Sequence, residues 1–132
     1  MKKLGILFSL FAFALVFAAQ AQQVSSGAVI SFKEKSVDFG DIVQGQKVEH
    51  TFTLTNSGTE PLIISNVAVT CGCTVPSWPK EPIAPGDSAE IKVTFNSTGK
   101  MGKQNSVVRI YSNATEPIEK VSLISNVLPK TE

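Results

Sequence analysis

Apolar and polar residues alternate along much of this chain. In the run KVEHTFTLTN, Val48, His50, Phe52 and Leu54 fall on one face of an extended backbone, and Lys47, Glu49, Thr51, Thr53 and Thr55 on the other. In SAEIKVTF, Ala89, Ile91, Val93 and Phe95 alternate with Glu90, Lys92 and Thr94. A period of two marks a strand with one packed side and one wetted side. Further strands are predicted over Ala28–Phe32 with Val37–Phe39, Leu62–Ile64, Val67–Val75, Ser106–Tyr111 and Ile118–Val127. Beyond residue 21, no segment carries apolar residues at helical spacing over the length an amphipathic helix needs. Turn residues punctuate the strands: Gly40, Gly45, Asn56-Ser57-Gly58, Pro79 to Pro82, Pro85-Gly86-Asp87, Gly99 to Gly102 and Asn113 to Pro117. About seven short strands at this spacing predict an all-β chain folded as an immunoglobulin-like β-sandwich, with a small barrel as the alternative.

The first residues follow another pattern. Lys2 and Lys3 precede an apolar stretch from Leu4 to Ala19, which ends in Ala19-Gln20-Ala21. This is the layout of a secretory signal peptide cleaved after Ala21. The stretch is shorter than the roughly 20 apolar residues that span a bilayer, and no cysteine follows it to carry a lipid. The expected organisation is a signal peptide over residues 1–21 and one immunoglobulin-like domain over residues 22–132. The mature protein is expected in the periplasm or outside the cell, with no stable membrane anchor.

Charge adds little. Twelve basic residues face eleven acidic ones in the whole chain, and loss of Lys2 and Lys3 leaves a near-neutral domain. Such a balance gives no pull toward nucleic acid. Lys100, Lys103 and Arg109 have no interleaved aromatic residues and read as a solvated face.

The stretch VTCGCTVPSWP holds both cysteines, Cys71 and Cys73. If it stays extended, Val67, Val69, Cys71, Cys73 and Val75 share the core face, and the thiols pack as small hydrophobes. Residues two apart in a regular strand have α-carbons about 6.6 Å apart, the far end of the disulfide range. A bond therefore needs a bend at Gly72, which glycine makes easy. Three readings stay open: a structural pair, a redox or partner-linked disulfide, and a copper(I) site. The last has only His50 and Met101 as further donors. Nothing else suggests catalysis. A hydrolytic triad would have to use His50, and no glycine-flanked serine elbow occurs. Asp38 and Asp41 read as turn acids rather than a calcium site. Trp78, in the loop past the cysteines, is a candidate partner contact or a cover for the end of the sandwich. The sequons Asn96-Ser97-Thr98 and Asn113-Ala114-Thr115 read as turns.

The succession VDFGDIVQGQKVEHTFTLTNSGTEPLII, VTCGCTVPSW, IAPGDSAEIKVTF and MGKQNSVVRIYSNA resembles the bacterial exported family known as domain of unknown function 1573. That family is similar to the immunoglobulin-like domains of the abnormal-spindle, SPD and hydin type and of major sperm protein. The resemblance covers about Val29 to Val127 and implies a β-sandwich in the cell envelope, with no settled activity to transfer. The expected function is a non-enzymatic exported domain, without a cofactor, that binds or scaffolds an envelope protein. The alternative is a thiol-redox or copper(I)-handling protein centred on Cys71 and Cys73.

Overall fold

The computed structural model describes residues 27–131, so the expected signal peptide lies outside the described residues. Eight strands succeed one another: β1 (Ile30–Phe32), β2 (Ser36–Val43), β3 (Lys47–Asn56), β4 (Ile64–Val69), β5 (Thr74–Ser77), β6 (Ser88–Asn96), β7 (Gly102–Ser112) and β8 (Ile118–Leu128). They build two four-stranded sheets, in the orders β1-β3-β6-β5 and β2-β8-β7-β4. Neighbours are antiparallel except β2, which runs parallel to β8. This is the predicted sandwich, with eight strands where about seven were expected.

The alternating runs become the central strands. Phe52 lies opposite Ile91 and Leu54 opposite Ala89 in the β3–β6 ladder, so the apolar sets of both strands point the same way. Phe52, Leu54, Ile91, Val93 and Phe95 meet Val108, Ile110, Val121, Leu123 and Val127 of the other sheet, all buried in one cluster. Each such side chain contributes about 1.5–3 kcal/mol on leaving water. The polar sets, including Glu49, Thr51, Glu90 and Lys92, remain exposed or half-exposed.

Two predicted strands do not exist as units: of Leu62–Ile64 only Ile64 enters β4, while Leu62 forms an isolated bridge to Ile83, and the second lies further along the chain. Val67–Val75 is broken: β4 ends at Val69 in one sheet, and β5 begins at Thr74 in the other. The alternation persists across a crossover, where parity no longer reports a common face. Val67 is buried, yet Val75 is 62% exposed. The inward residue of β5 is Thr74. The two cysteines thus sit in the link between the sheets and not on a continuous apolar stripe.

The two ends of the sandwich differ. At one end Asn56, fully buried, closes β3 amid the β3–β4 and β5–β6 connections. At the other end lie the β2–β3 turn, the β4–β5 link and the β6–β7 loop. Buried Ser97 ties two of these, donating from Oγ to the carbonyls of Val43 (3.2 Å) and Gln46 (2.6 Å).

Candidate functional site

The β4–β5 link is a tight turn. The N–H of Thr74 donates to the carbonyl of Cys71 at 3.3 Å, and that of Asn96, closing β6, donates to the carbonyl of Cys73 at 2.8 Å. The turn brings the cysteine α-carbons to 5.3 Å, and the sulfurs are bonded. The bend that a disulfide requires is therefore present. It does not depend on glycine: Gly72 is exposed, its φ lies outside the left-handed region, and a Cβ there would meet nothing within 4 Å. This corrects the expectation that glycine's conformational freedom makes the bend.

The two sulfurs have unequal surroundings. Both cysteines are half-buried, but Cys73 packs against the hydrophobic core. Beneath them lies the hydroxyl of Thr74, a residue 3% exposed, 3.7 Å from Cys71 Sγ and 3.8 Å from Cys73 Sγ. Among the described residues these sulfurs are the hydrogen-bonding partners of that hydroxyl. Sequence reasoning passed over Thr74, because alternation carried through the link assigns it to the outward face.

The remaining candidate residues are dispersed. His50 pairs with Glu34 at 2.5 Å, with its ring edge-on to Phe52 and Phe39. That places it at the β1 side of its sheet, whereas Cys73 lies at the β5 side. Met101 is in the β6–β7 loop and exposed. Among the described residues, no three His, Cys, Asp or Glu side chains form a metal-binding group. Trp78 is half-buried against the core, and Lys80 Nζ stands 3.1 Å from its ring centroid. Asp38 caps Gly40 N–H at 2.8 Å, and Asp41 accepts from Asn126 Nδ2 at 2.9 Å. Of the sequon residues, Asn96 accepts from Thr98 N–H at 3.1 Å. Asn113 Oδ1 accepts from Ile63 N–H at 2.7 Å.

Four strands form the sheet edges, and they differ in how they are guarded. β1 has three residues. β2 breaks register between Asp38 and Asp41, where Gly40 takes φ 68°, and it carries both acids. β5 contains Pro76, which has no N–H to offer. Short length, bulges, charges and proline are the usual protections against edge pairing. β4 carries neither charge nor proline over its six residues, and its one protection is a register shift between Ile64 and Asn66. Its residues Ser65, Asn66 and Ala68 are uncharged and at least partly exposed. Among the described residues the backbone of Ser65 to Val69 hydrogen-bonds to no element except β7. The disulfide turn continues directly from this edge.

A family model described as "Protein of unknown function (DUF1573)" matches residues 30–127, and the chain belongs to that family. No curated protein matches the chain at a significant level. Among solved structures, a protein of unknown function from Porphyromonas gingivalis W83 is similar, with TM-score 0.67 and 16% identity. The match covers 83% of this chain and 51% of that one, so the chain spans about half the length of that relative. The ASH / PapD-like domain 7 of human CEP192 aligns with TM-score 0.63 and 12% identity over 77% of this chain and 87% of that one. The secreted serine protease VesC from Vibrio cholerae gives TM-score 0.57 and 19% identity over 84% of this chain but 25% of the protease. At these identities the likeness is one of fold.

Proposed function

We propose that the protein is a non-enzymatic module of the bacterial cell envelope that binds a partner protein by adding an extended segment to the β4 edge. One observation carries the reading: beyond its register shift, β4 offers an edge from Asn66 to Val69 with no charge and no proline. Strand addition gains its affinity from main-chain hydrogen bonds and its specificity from alternate side chains. The signal-peptide pattern over residues 1–21 supports export.

The test places a photo-crosslinking residue at Asn66 or Ala68, and at Thr51 of the other sheet as a control, in cells expressing the full chain. A discrete crosslinked protein from the β4 positions alone, lost in an Ala68→Lys variant of unchanged stability, is the expected result. Equal labelling from Thr51, or indifference to Ala68→Lys, refutes the assignment. Turnover of a substrate by the purified protein would refute the non-enzymatic reading.

A second reading, a thiol-redox role, is favoured by one observation, the bonded Cys71–Cys73 pair at an exposed turn. For its copper(I) form, the sulfurs would first have to be reduced and would then supply two thiolates, with His50 engaged elsewhere by Glu34.

A further inference from the structure

The Cys71–Cys73 bond adds little constraint to the fold. It closes a loop of three residues, the least effective length for constraining an unfolded chain. Two backbone hydrogen bonds, Thr74 N–H to Cys71 and Asn96 N–H to Cys73, already fix the turn. A disulfide that is only half-buried and adds little structural constraint is more open to exchange than a deeply buried structural one.

Resting on the thiol-redox reading, we propose that this disulfide exchanges with an external dithiol, that Cys71 Sγ is the sulfur attacked, and that Cys73 leaves as the thiolate. Cys73 leans on the core, which shields its sulfur on that side, whereas Cys71 is not part of that packing. Attack on a disulfide proceeds in line, so the incoming thiolate approaches Cys71 Sγ from outside and the departing sulfur faces inward. The Thr74 hydroxyl stands 3.8 Å from it, as near as to Cys71 Sγ at 3.7 Å, and once the bond opens is able to donate a hydrogen bond to the new negative charge.

The step balances. One thiolate of the dithiol forms a bond to Cys71 Sγ as the Cys71–Cys73 bond breaks, and Cys73 departs with the electron pair and takes up a proton. The second thiolate of the dithiol then attacks its own sulfur of the mixed disulfide and releases Cys71, which is protonated in turn. The dithiol ends as a disulfide, two electrons poorer, and the protein carries two thiols.

Dithiothreitol serves as the probe, with thiols counted by mass after alkylation. The native, oxidised protein is expected to become fully reduced with an unchanged far-ultraviolet circular dichroism spectrum. A bond that opens only after denaturation overturns the thiol-redox reading itself. The sulfur assignment is tested separately with single-cysteine variants and an aromatic disulfide reagent. Cys73→Ser, which leaves Cys71, should react at least several-fold faster than Cys71→Ser; equal or reversed rates overturn the assignment while the reading stands. Thr74→Val should slow native reduction roughly tenfold, as expected for loss of one hydrogen bond to a developing charge. Thr74→Ser should restore the rate. An unchanged rate in Thr74→Val removes the hydroxyl from the mechanism. Equilibrium unfolding of both Thr74 variants separates these effects from loss of fold.

Discussion

Replacing Asn56 by alanine should weaken the domain more than any change at its exposed surface. The side chain is fully buried and uses its whole hydrogen-bonding capacity. Oδ1 accepts from Val29 N–H at 3.3 Å and Gly58 N–H at 3.0 Å, and Nδ2 donates to the carbonyls of Glu60 at 2.7 Å and Ile83 at 2.9 Å. It therefore joins the entry to β1, the β3–β4 loop and the approach to β6. In Asn56→Ala the Ile83 carbonyl keeps Leu62 N–H at 2.8 Å, but the N–H groups of Val29 and Gly58 lose their acceptor. At about 1–3 kcal/mol for each buried unsatisfied group, and with the vacated volume added, the loss comes to about 3–5 kcal/mol. For a domain with a total stability of about 5–15 kcal/mol that is a large share, and Tm should fall by roughly 15 °C or more.

Urea unfolding of the oxidised protein, followed by the fluorescence of Trp78, the one tryptophan of the chain, measures the change. Circular dichroism checks that the transition is two-state. Asn56→Asp discriminates further: it keeps acceptors for the two N–H groups but turns the donor into an oxygen facing two carbonyls. It should match or exceed the alanine loss at neutral pH. A midpoint change worth less than about 1 kcal/mol for both variants, with an unchanged m-value, would refute the hub.

Two glycines should behave oppositely. A Cβ at Gly58 would fall 2.1 Å from the Gly27 carbonyl oxygen and 2.6 Å from Val29 N, backbone atoms that cannot swing aside, so Gly58→Ala should cost about 2–3 kcal/mol. Gly72→Ala, with open space and an ordinary φ, should change stability by no more than about 0.5 kcal/mol; the same urea titrations decide both. The Cys71→Ser, Cys73→Ser double variant should lose only about 1.6 kcal/mol by the chain-entropy relation for a three-residue loop. A calorimetric loss above about 3 kcal/mol would make the bond a structural staple.

The sequence reading was accurate where a strand is central and alternates cleanly. Lys47–Asn56 and Ser88–Asn96 pair along nine register positions, as their matching apolar sets require. It failed at Val67–Val75, because parity survives a change of sheet: Val67 and Val75 keep the odd positions but belong to different layers. The only local sign of the turn was Gly72, and a lone glycine also suits a bulge. Asn56-Ser57-Gly58 was legible as a turn. The burial of Asn56 was not, since its partners Val29 and Ile83 are each 27 residues away. The open Asn66–Val69 edge of β4 was equally hidden, because an edge is defined by topology and not by the residues along a strand.

These features divide the molecule lengthwise. β3 runs from Lys47, near the disulfide turn, to Asn56 at the other end. Nine steps at about 3.3 Å separate the two by roughly 30 Å. One end is held by buried side-chain hydrogen bonds that leave no capacity unused. The other is held by backbone bonds and Ser97, with the β4 edge and the Cys71–Cys73 pair left accessible. Effects at sites this far apart should add. Asn56→Ala should therefore lower stability without altering the rate of native-state reduction at Cys71, and Thr74→Val should do the reverse. Combining the two variants should give the stability loss of Asn56→Ala alone to within about 0.5 kcal/mol. A non-additive result would mean that Thr74 and Asn56 are coupled through the sandwich, and the turn would then be part of its structural frame.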